Sequence, residues 1–595
     1  MEKELPTMLD VRCRAVCHEQ GSREMWKSLS MSVLGTVGVC LFLVCQTALV
    51  LAQQAGGPAP SRPVLSTTID FLDYCWTETD REVGYFTEAQ YEKVIRSLAD
   101  AGIDKVYLRV DVCGLTLYPT KVGKQYPGDG REPGSTNLVN TLAKYDPAAK
   151  TIELCRKYGL HVWCWDTLFD DEATCLRYDP VEDRAKHKRY GEYPLKDPFL
   201  IANPHVQWAL DPRVKARQAA DPSRRATQEP ITAIKIISDG KCARNRVKRE
   251  QFDLYVSADN RTFRRYDNPF TLKVVRDYPA VLVLEGLNIA EQYVKLVWRK
   301  PWPKGGGYSI CGGPTELAQT LHGGAWHEAR AVWRKGSGDP KHGGVDLTRT
   351  GRFAWDWGNR ALVIAKYLPA MPDHYGMIEP AYPETKAHKL AKLKELAAYD
   401  FDGFAYSMRS HTTGMDPKLY GYNDIIRDAY RRRYGKDIWK EDFDRARWLD
   451  LRAEFVTEYL AMASKAVAPR PLYMDWPSTG TESPYSKRYG DLPFQVDKWV
   501  RDKAVAGVRV MSCPEDSPIT LDVPGADRVK LIRFVDNWTV PPPDVFRSNL
   551  RRWFANERLD EVELYETVLY TKRPAHLAVI REVMNEVRRN TRRQP

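Results

Sequence analysis

The chain has 595 residues and a formal net charge of +11, with 43% hydrophobic and 28% charged residues. This length is too great for one ordinary hydrophobic core, and the composition is that of a globular protein rather than a disordered one. The positive charges are scattered or lie in the tail RRNTRRQP, without a compact basic patch interleaved with aromatic residues, which argues against a nucleic-acid partner.

The N-terminal region has the pattern of an export signal. Residues 32–52 are almost wholly apolar, Lys27 precedes them, and Ala52 is a small residue at a plausible cleavage site. This predicts a signal peptide over 25–52 and a secreted or periplasmic protein. The alternative is an uncleaved membrane anchor, because the apolar run is about long enough to span a bilayer. Two flanking segments are predicted to lack a fold of their own, a disordered or non-native extension over 1–24 and a linker over 53–66.

Eight short apolar runs, each ending in a polar residue, follow along the chain. Buried parallel strands have continuous apolar runs, and strands that alternate with helices are typical of βαβ units. Eight such units predict a (β/α)8 TIM barrel, whose active site lies at the carboxyl ends of the strands. The runs are IDFLDYCW (69–76), KVYLRVD (105–111), HVWCWD (161–166), GFAYSMR (403–409), PLYMD (471–475), GVRVMS (507–512), KLIRFVD (530–536) and EVELYE (561–566).

The pattern stops after the third run for about two hundred residues. Short strand-like segments between turn signals, with little helix, occupy 228–300, and they predict an all-β sandwich inserted into the third βα loop. Residues 300–375, rich in Gly, Trp and His, either complete the sandwich or lead back to the barrel. The predicted boundaries are a barrel over 67–180 and 375–592 and an insertion over 181–374.

The polar residues that end the runs would face one mouth of the barrel, beside several tryptophans. Glycoside hydrolysis needs two carboxyl groups, one protonated and one ionised. A tryptophan beside an acid provides a stacking face for a pyranose and raises the pKa of the carboxyl by desolvation. The predicted catalytic acids are Asp475, Asp536 and Glu566. The predicted substrate-binding residues are Asp73, Trp76, Asp111, Asp166, Arg409, His411, Trp476 and Trp538.

Structural alternatives exist for these residues. An aspartate at a strand end can cap the next helix or loop instead of acting on a substrate. Arg409 either clamps a substrate group or forms an ion pair with Asp111 or Asp166. Asp402 precedes a glycine at the amino end of its strand and is predicted to be a turn residue. No cofactor and no metal are predicted, because the chain after the leader has no CxxC pair, no His-x-His strand end and no GxGxxG fingerprint.

Residues 377–409, MIEPAYPETKAHKLAKLKELAAYDFDGFAYSMR, resemble the glycosyl hydrolase-like 10 group of (β/α)8 glycosidases. They share a helix led by proline and a Tyr-Asp-x-Asp-Gly start to the next strand, and residues 69–111 are also similar. The resemblance implies a carbohydrate substrate and glycosidase chemistry. It fails at Ser407, where the family usually has an acid. This departure favours the alternative, a non-catalytic carbohydrate-binding or surface protein on a degenerate barrel.

The insertion has a resemblance of its own. The segments FDLYVSADNRTFRRY and AEQYVKLVW are similar to a galactose-binding-like jelly roll of the discoidin (F5/8) type, in which a strand ending in Val-Ser-x-Asp is followed by a turn and an aromatic residue. Such domains often bind glycans, and many serve only as spacers.

Overall fold

The computed structural model describes residues 63–79, 82–128, 133–171, 197–220, 228–238, 247–259, 262–277, 280–298, 316–329, 331–334, 361–366, 373–408, 416–477, 489–511, 519–536, 540–555 and 558–591. The predicted export signal lies outside these ranges, as do Arg409, His411 and Trp538. Within the described ranges, no helix is both long enough and apolar enough to cross a membrane.

The strands are numbered along the chain. Before the insertion lie β1 (Val64–Ile69), β2 (Lys105–Arg109), β3 (Asp111–Val112), β4 (Leu115–Thr116) and β5 (His161–Thr167). The intervening region holds β6 (Gln207–Ala209), β7 (Ile231–Ser238), β8 (Phe252–Ser257), β9 (Arg264–Arg265), β10 (Thr271–Asp277), β11 (Ala280–Ile289), β12 (Tyr293–Trp298), β13 (Glu316–His322), β14 (Ala325–Ala329), β15 (Ala331–Arg334), β16 (Ala361–Ala365) and β17 (His374–Ile378). After it come β18 (Gly403–Ser407), β19 (Leu472–Pro477), β20 (Gly507–Met511), β21 (Lys530–Asp536) and β22 (Glu561–Tyr565).

Eight of these strands form a closed parallel barrel in the order β1-β2-β5-β18-β19-β20-β21-β22. The ring closes where β1 pairs with β22, with Leu65 opposite Val562. The insertion lies between β5 and β18, which are themselves paired, with Ala405 opposite Trp165. The predicted (β/α)8 barrel with a β-sandwich inserted in the third βα loop is therefore confirmed.

Helices fill the connections between the strands. Several begin at a residue whose side chain caps the free backbone N–H groups, as Thr87 does for the helix that follows β1 and Asp146 for the helix that precedes β5. The α-helices are Phe71–Thr77, Glu88–Ala101, Pro133–Leu142, Pro147–Lys157, Pro198–Ala202, Pro212–Ala220, Pro383–Ala397, Asp424–Tyr434, Arg445–Val467, Val496–Arg501, Pro543–Phe554, Thr567–Thr571 and Pro574–Thr591.

The first predicted strand, 69–76, is wrong, because most of it forms the helix Phe71–Thr77 and the strand is β1. Phe71, Tyr74 and Cys75 are the buried residues of this segment, at the spacing of one helical face. Asp70 starts the helix by accepting a hydrogen bond from the Leu72 N–H at 3.1 Å. An apolar run of this length does not distinguish a strand from a buried helix by hydrophobicity alone.

The predicted linker over 53–66 therefore overlaps the start of β1, whose sequence VLSTTI looks too polar for a core strand. Its hydroxyl groups are buried but paired. Thr67 donates to the Leu564 carbonyl oxygen at 2.7 Å, and Thr68 donates to the Glu563 carboxylate at 2.5 Å. These hydrogen bonds offset the cost of burying the hydroxyls.

The insertion contains two five-stranded sheets, in the orders β10-β11-β7-β13-β14 and β15-β16-β12-β8-β9. Their shared core is apolar and includes Ile234, Leu254 and Leu284. It also includes Leu362 of β16, so the sandwich extends past the predicted end at 300. The late strands complete the sandwich, the first of the two alternatives considered for 300–375.

Candidate active site

The junction of the first and last barrel strands brings three carboxyl groups together. Asp70 directly follows β1, Glu566 directly follows β22, and these strands are paired. Asp73 lies in the first turn of the helix that Asp70 caps, a position that the helix dipole makes favourable for an acid. Carboxylate oxygens of the three residues lie within 4.8 Å of one another. Among the described residues, this is the one set of His, Cys, Asp or Glu side chains close enough to share a metal ion.

Asp73 and Glu566 form a close carboxyl pair within this cluster. Burial raises the pKa of Asp73 well above its usual range, and the charge and hydrogen bond of Glu566 raise it further. Asp70 adds to the increase in the pKa, whereas Arg109 lowers it. Two carboxyl groups this close disfavour each other's ionisation, which is the physical cause of the raised pKa of Asp73 beyond burial. Asp73 is partly exposed, whereas Glu566 is buried.

Arg109, at the end of β2, carries the positive charge of this site. Its Nη1 lies 2.5 Å from Asp70 Oδ2, its Nε donates to the Asp111 carbonyl oxygen at 2.8 Å, and its guanidinium carbon lies 5.3 Å from the centre of the Trp165 ring. Burial lowers the pKa of the guanidinium, but the surrounding negative charges, Asp70 first, outweigh burial and raise it. Arg109 therefore remains a cation.

Asp475, a predicted catalytic acid, lies in a different cluster. One of its carboxylate oxygens is 2.9 Å from Arg509 Nη1, and the other accepts hydrogen bonds from Ser407 Oγ and the Met408 N–H, both at 2.9 Å. Arg509 also donates twice to Glu563 at 2.8 Å. Asp475 is thus held by a guanidinium on one carboxylate oxygen and by two hydrogen-bond donors on the other.

Asp111 and Asp166 form a further pair at the ends of β2 and β5. Asp111 Oδ1 accepts hydrogen bonds from both the N–H and the hydroxyl of Thr167 at 3.0 Å, which ties the two strand ends together. Burial, together with the charge of Asp111, raises the pKa of Asp166 to about 7 against the opposing charge of Lys389. Lys389 is wholly buried and lies 3.8 Å from Asp166 and 3.5 Å from Asp171.

The predicted tryptophans have different surroundings. Trp76 packs against the chain at Gly134, where a Cβ atom would lie only 1.8 Å from the indole Cδ1. Trp476 follows Asp475 in β19 and is partly exposed. For Asp536, only its backbone position at the end of β21 lies within the described part of the chain.

Asp402 lies at the amino end of the barrel, as predicted. It accepts a hydrogen bond from the Val162 N–H at 2.7 Å and forms an ion pair with Arg156 at 2.8 Å. Burial raises the pKa of Asp402, but hydrogen bonds from His161 and Arg156 outweigh it and lower the pKa to about 2. This residue therefore links strand starts and takes no part in the mouth.

Among the charged residues of these clusters that were absent from the sequence predictions, four lie in or directly after a barrel strand. They are Asp70, Arg109, Arg509 and Glu563. Each is a charged residue inside or directly after an apolar strand sequence, and this pattern is the signal that identifies them. A charge at such a position requires a partner across the barrel interior.

No family model matches the chain, and no curated protein sequence matches it. Among solved structures it is similar to the catalytic domain of β-amylase from Paenibacillus polymyxa, with 7% identity, a TM-score of 0.39 and coverage of 89% of this chain and 100% of that one. It is also similar to β-galactosidase from Bacillus circulans sp. alkalophilus, with 13% identity, a TM-score of 0.24 and coverage of 36% of this chain and 40% of that one. The glycoside hydrolase domain of PelA from Pseudomonas aeruginosa gives 13% identity, a TM-score of 0.18 and coverage of 32% and 64%. All three are glycoside hydrolases, but similarities at these scores carry no argument about the function of this chain.

Proposed function

We propose that this protein is an exported glycoside hydrolase that acts on a poly- or oligosaccharide. The observation that carries the proposal is the close Asp73–Glu566 pair at the carboxyl end of a (β/α)8 barrel, where burial and the charge of Glu566 raise the pKa of Asp73. Glycosidic bond cleavage needs a protonated carboxyl group near neutral pH, and a buried carboxyl pair supplies one. Asp73 is the partly exposed member and is therefore the one that reaches a substrate.

In this reaction Asp73 donates its proton to the glycosidic oxygen as the bond to the anomeric carbon breaks, and Glu566 stabilises the site after the transfer. A second, ionised carboxylate stabilises the developing oxocarbenium charge, either as nucleophile or as base for the attacking water. Asp475 and Asp536 are the candidates for this role. Water supplies the hydroxyl group on the anomeric carbon, and its proton returns to the Asp73–Glu566 pair.

The test is hydrolysis of a polysaccharide panel by the full chain and by four amide variants, Asp73→Asn, Glu566→Gln, Asp475→Asn and Asp536→Asn. Loss of the acid should lower turnover by about a hundredfold or more. Asp402→Asn is the matched control, because it removes a partly exposed carboxylate at the opposite end of the barrel. Turnover that is unchanged in all four variants, with folding intact, would remove this site from consideration.

Export is the second part of the proposal. The apolar run and Ala52 support cleavage at that point. Cleavage is tested by mass spectrometry of the protein that is recovered from the culture medium or the periplasm of expressing cells. A protein that keeps the apolar run and stays with the membrane fraction would support the anchor instead.

A non-catalytic carbohydrate-binding protein is the second candidate. The observations that favour it are the complete burial of Asp475 against Arg509 and the presence of Ser407 where related glycosidases usually have an acid. Glycan binding without hydrolysis on any member of the panel would select this candidate. The resemblance to the glycosyl hydrolase-like 10 group would then concern the fold and not the activity.

We further propose that the inserted sandwich is a galactose-binding-like module. The support is the FDLYVSAD strand β8 and its pairing with the QYVKLVW strand β12, with Leu254 opposite Leu296. The full chain and a chain without 228–366 should then differ in glycan affinity. Equal affinities, with both proteins folded, would make the sandwich a spacer.

A further inference from the structure

The helix Pro383–Ala397 buries two lysines beside the barrel. Lys389 is wholly buried and Lys392 is 2% exposed, and their spacing of three residues puts them on one face of the helix. Leu393 and Leu396 are buried further along the same helix. A lysine is almost never fully buried unless its ammonium group is paired, because removing the charge from water is costly. Two of them in one helix therefore indicate a specific task for this part of the helix.

Lys392 holds the short hairpin that follows β2. Its Nζ donates to the Gly114 carbonyl oxygen at 2.6 Å, and Gly114 lies in the turn between β3 and β4 with a φ of +81°. The Gly114 N–H donates to the Asp111 carboxylate at 3.2 Å. The turn also approaches Asp171 so closely that a Cβ atom on Gly114 would lie 2.7 Å from a carboxylate oxygen of Asp171. The backbone of this turn is thus bound through both its N–H and its carbonyl group.

Lys389 holds the end of β5 in the same way. Its Nζ donates to the Thr167 carbonyl oxygen at 3.1 Å and lies 3.8 Å from Asp166 Oδ2 and 3.5 Å from Asp171 Oδ1. Lys392 Nζ lies 3.9 Å from the same Asp171 oxygen. The two ammonium groups and the carboxylate between them therefore connect the chain that follows β2 to the chain that follows β5.

The chain after β5 is also the point at which the insertion leaves the barrel. The Ile378 N–H donates to the Phe169 carbonyl oxygen at 3.0 Å, and Asp170 forms an antiparallel bridge with Met377. The departing and the returning chain are thus paired at the base of the insertion. The helix Pro383–Ala397 follows this returning chain, so its lysines bind the segment from which the insertion departed.

We propose that Lys389 and Lys392 are positioning residues, which fix the β3–β4 hairpin and the chain 168–171 so that a glycan binds between prearranged loops. The inference rests on the proposed function, because that function names what the loops are positioned for. Both loops follow the carboxyl ends of barrel strands, where the active site of this fold lies. Asp111 and Asp166, two of the predicted substrate-binding residues, belong to the same network. The lysines hold backbone carbonyl groups and act on the substrate through these loops.

Hydrogen exchange of the full chain, followed by mass spectrometry, measures the order of the two loops without a substrate. Lys392→Met removes a buried, charged hydrogen bond from the turn, so residues 111–117 should exchange about tenfold faster or more. Lys389→Met should have the same effect on residues 166–171. Both segments contain hydrogen-bonded amides whose protection can be followed. Strands β20 and β21 should keep the protection that they have in the wild type.

Lys105→Met is the matched control. It removes another buried lysine, whose Nζ lies 2.5 Å from Glu561 at the amino end of the barrel, and it should not accelerate exchange selectively in either loop. Lys389→Met is the variant most prone to misfold, because it leaves Asp166 and Asp171 with less positive charge nearby. The double variant Lys389→Met/Asp166→Asn removes one of these charges and should still loosen residues 166–171, since the bond to the Thr167 carbonyl is gone.

Kinetics on the polysaccharide panel test what the loops are positioned for. In Lys389→Met and Lys392→Met, KM should rise about fivefold or more while kcat stays within about twofold of the wild type. The reason is that Asp73 and Glu566 lie at the junction of β1 and β22 and not on these loops. Loss of folded protein would instead lower kcat at an unchanged KM, so the ratio of the two effects separates positioning from general stability.

Two results would overturn the inference. One is unchanged exchange in both loops of the folded lysine variants, or a loss of protection that is spread over the barrel as in Lys105→Met. The other is hydrolysis in which the variants lower kcat at an unchanged KM, which would leave the proposed function standing. Selectively faster exchange in the loops of a protein that hydrolyses no glycan would refute the proposed function and leave the positioning of the loops supported.

Discussion

The sandwich and the barrel fill their interiors with different kinds of residue. In β8 of the sandwich, Phe252, Leu254 and Val256 are buried while the residues between them are partly exposed, the alternation of a sheet with one apolar face. The barrel interior instead buries Arg509 and Glu563 completely, in an ion pair with two hydrogen bonds. The sandwich thus has an ordinary apolar core, and the barrel has a charged one.

This difference distinguishes residues that serve folding alone from residues that point to a function. Replacing a buried ion pair with apolar residues of similar volume is often neutral or stabilising, so folding alone does not require charges inside a barrel. Departures from simple core packing occur mainly at functional sites. The charged interior lies below the same mouth that carries Asp73 and Glu566, and its Arg509 contacts Asp475 at 2.9 Å.

Arg509→Met should produce the largest loss of stability. It removes the guanidinium that contacts both Asp475 and Glu563 in the barrel interior, which should lower the free energy of unfolding by about 3–5 kcal/mol. Urea unfolding at neutral pH measures this loss. The control replaces all three charges (Arg509→Met, Asp475→Asn and Glu563→Gln) and should recover most of the stability. If the single variant is as stable as the wild type, the barrel interior does not depend on its charges.

Leu282→Ala tests the apolar side of the comparison. Leu282 lies in β11, is fully buried in the sandwich core, and should cost about 2–5 kcal/mol through lost burial and a cavity. Hydrogen exchange measured by mass spectrometry should show lost protection in β7, β11 and β12, with barrel strands such as β21 unchanged. Equal loss in both regions would mean that the sandwich has no separate stability.

The sequence allowed the fold to be predicted because buried parallel strands have apolar runs that are visible without an alignment. Seven of the eight barrel runs coincide with strands, starting with KVYLRVD at β2. The first failed because the polar VLSTTI segment is stabilised by hydroxyl hydrogen bonds to β22, a neighbouring strand that comes from the other end of the chain. The end of the sandwich was left open between two alternatives, since the Gly-rich sequence around β13 and β14 hides its strands.

The site was less predictable, because it depends on pairs formed across the barrel. Glu566 and Asp73 were both identified, but their contact exists only because β1 and β22 close the ring. Arg109 and Arg509 lie within apolar runs, and a sequence does not reveal which carboxylate a buried cation will meet. The catalytic roles of Asp475, Asp536 and Glu566 remain predictions.

Asp402→Asn should produce the smallest of these effects and a characteristic pH dependence. The pKa of Asp402 is lowered to about 2 in the folded state, so its contribution to stability is present above its unfolded pKa and is lost as the pH falls from about 4 to 2. Hydrogen bonding to Asp402 raises the pKa of His161. The contribution of His161 to stability is therefore present below about pH 6.5 and is lost as the pH rises through its pKa in the folded state. The difference between wild type and variant should therefore be largest between about pH 4 and 6.5, at about 1–2 kcal/mol after screening of the half-exposed Arg156.

The matched control for this prediction lies in the sandwich, where Asp253 forms a more exposed ion pair with Arg265 at 3.1 Å. Asp253→Asn should cost less than about 1 kcal/mol. Chemical unfolding of both variants between about pH 2 and 8 measures the two profiles side by side. The stability difference between wild type and Asp402→Asn could instead be independent of pH, or equal to that of Asp253→Asn. Either result would show that the charges at the amino end of the barrel are no more important for stability than those on the sandwich surface. The contrast between the two regions would then be confined to the barrel interior, where Arg509, Asp475 and Glu563 are wholly shielded from water.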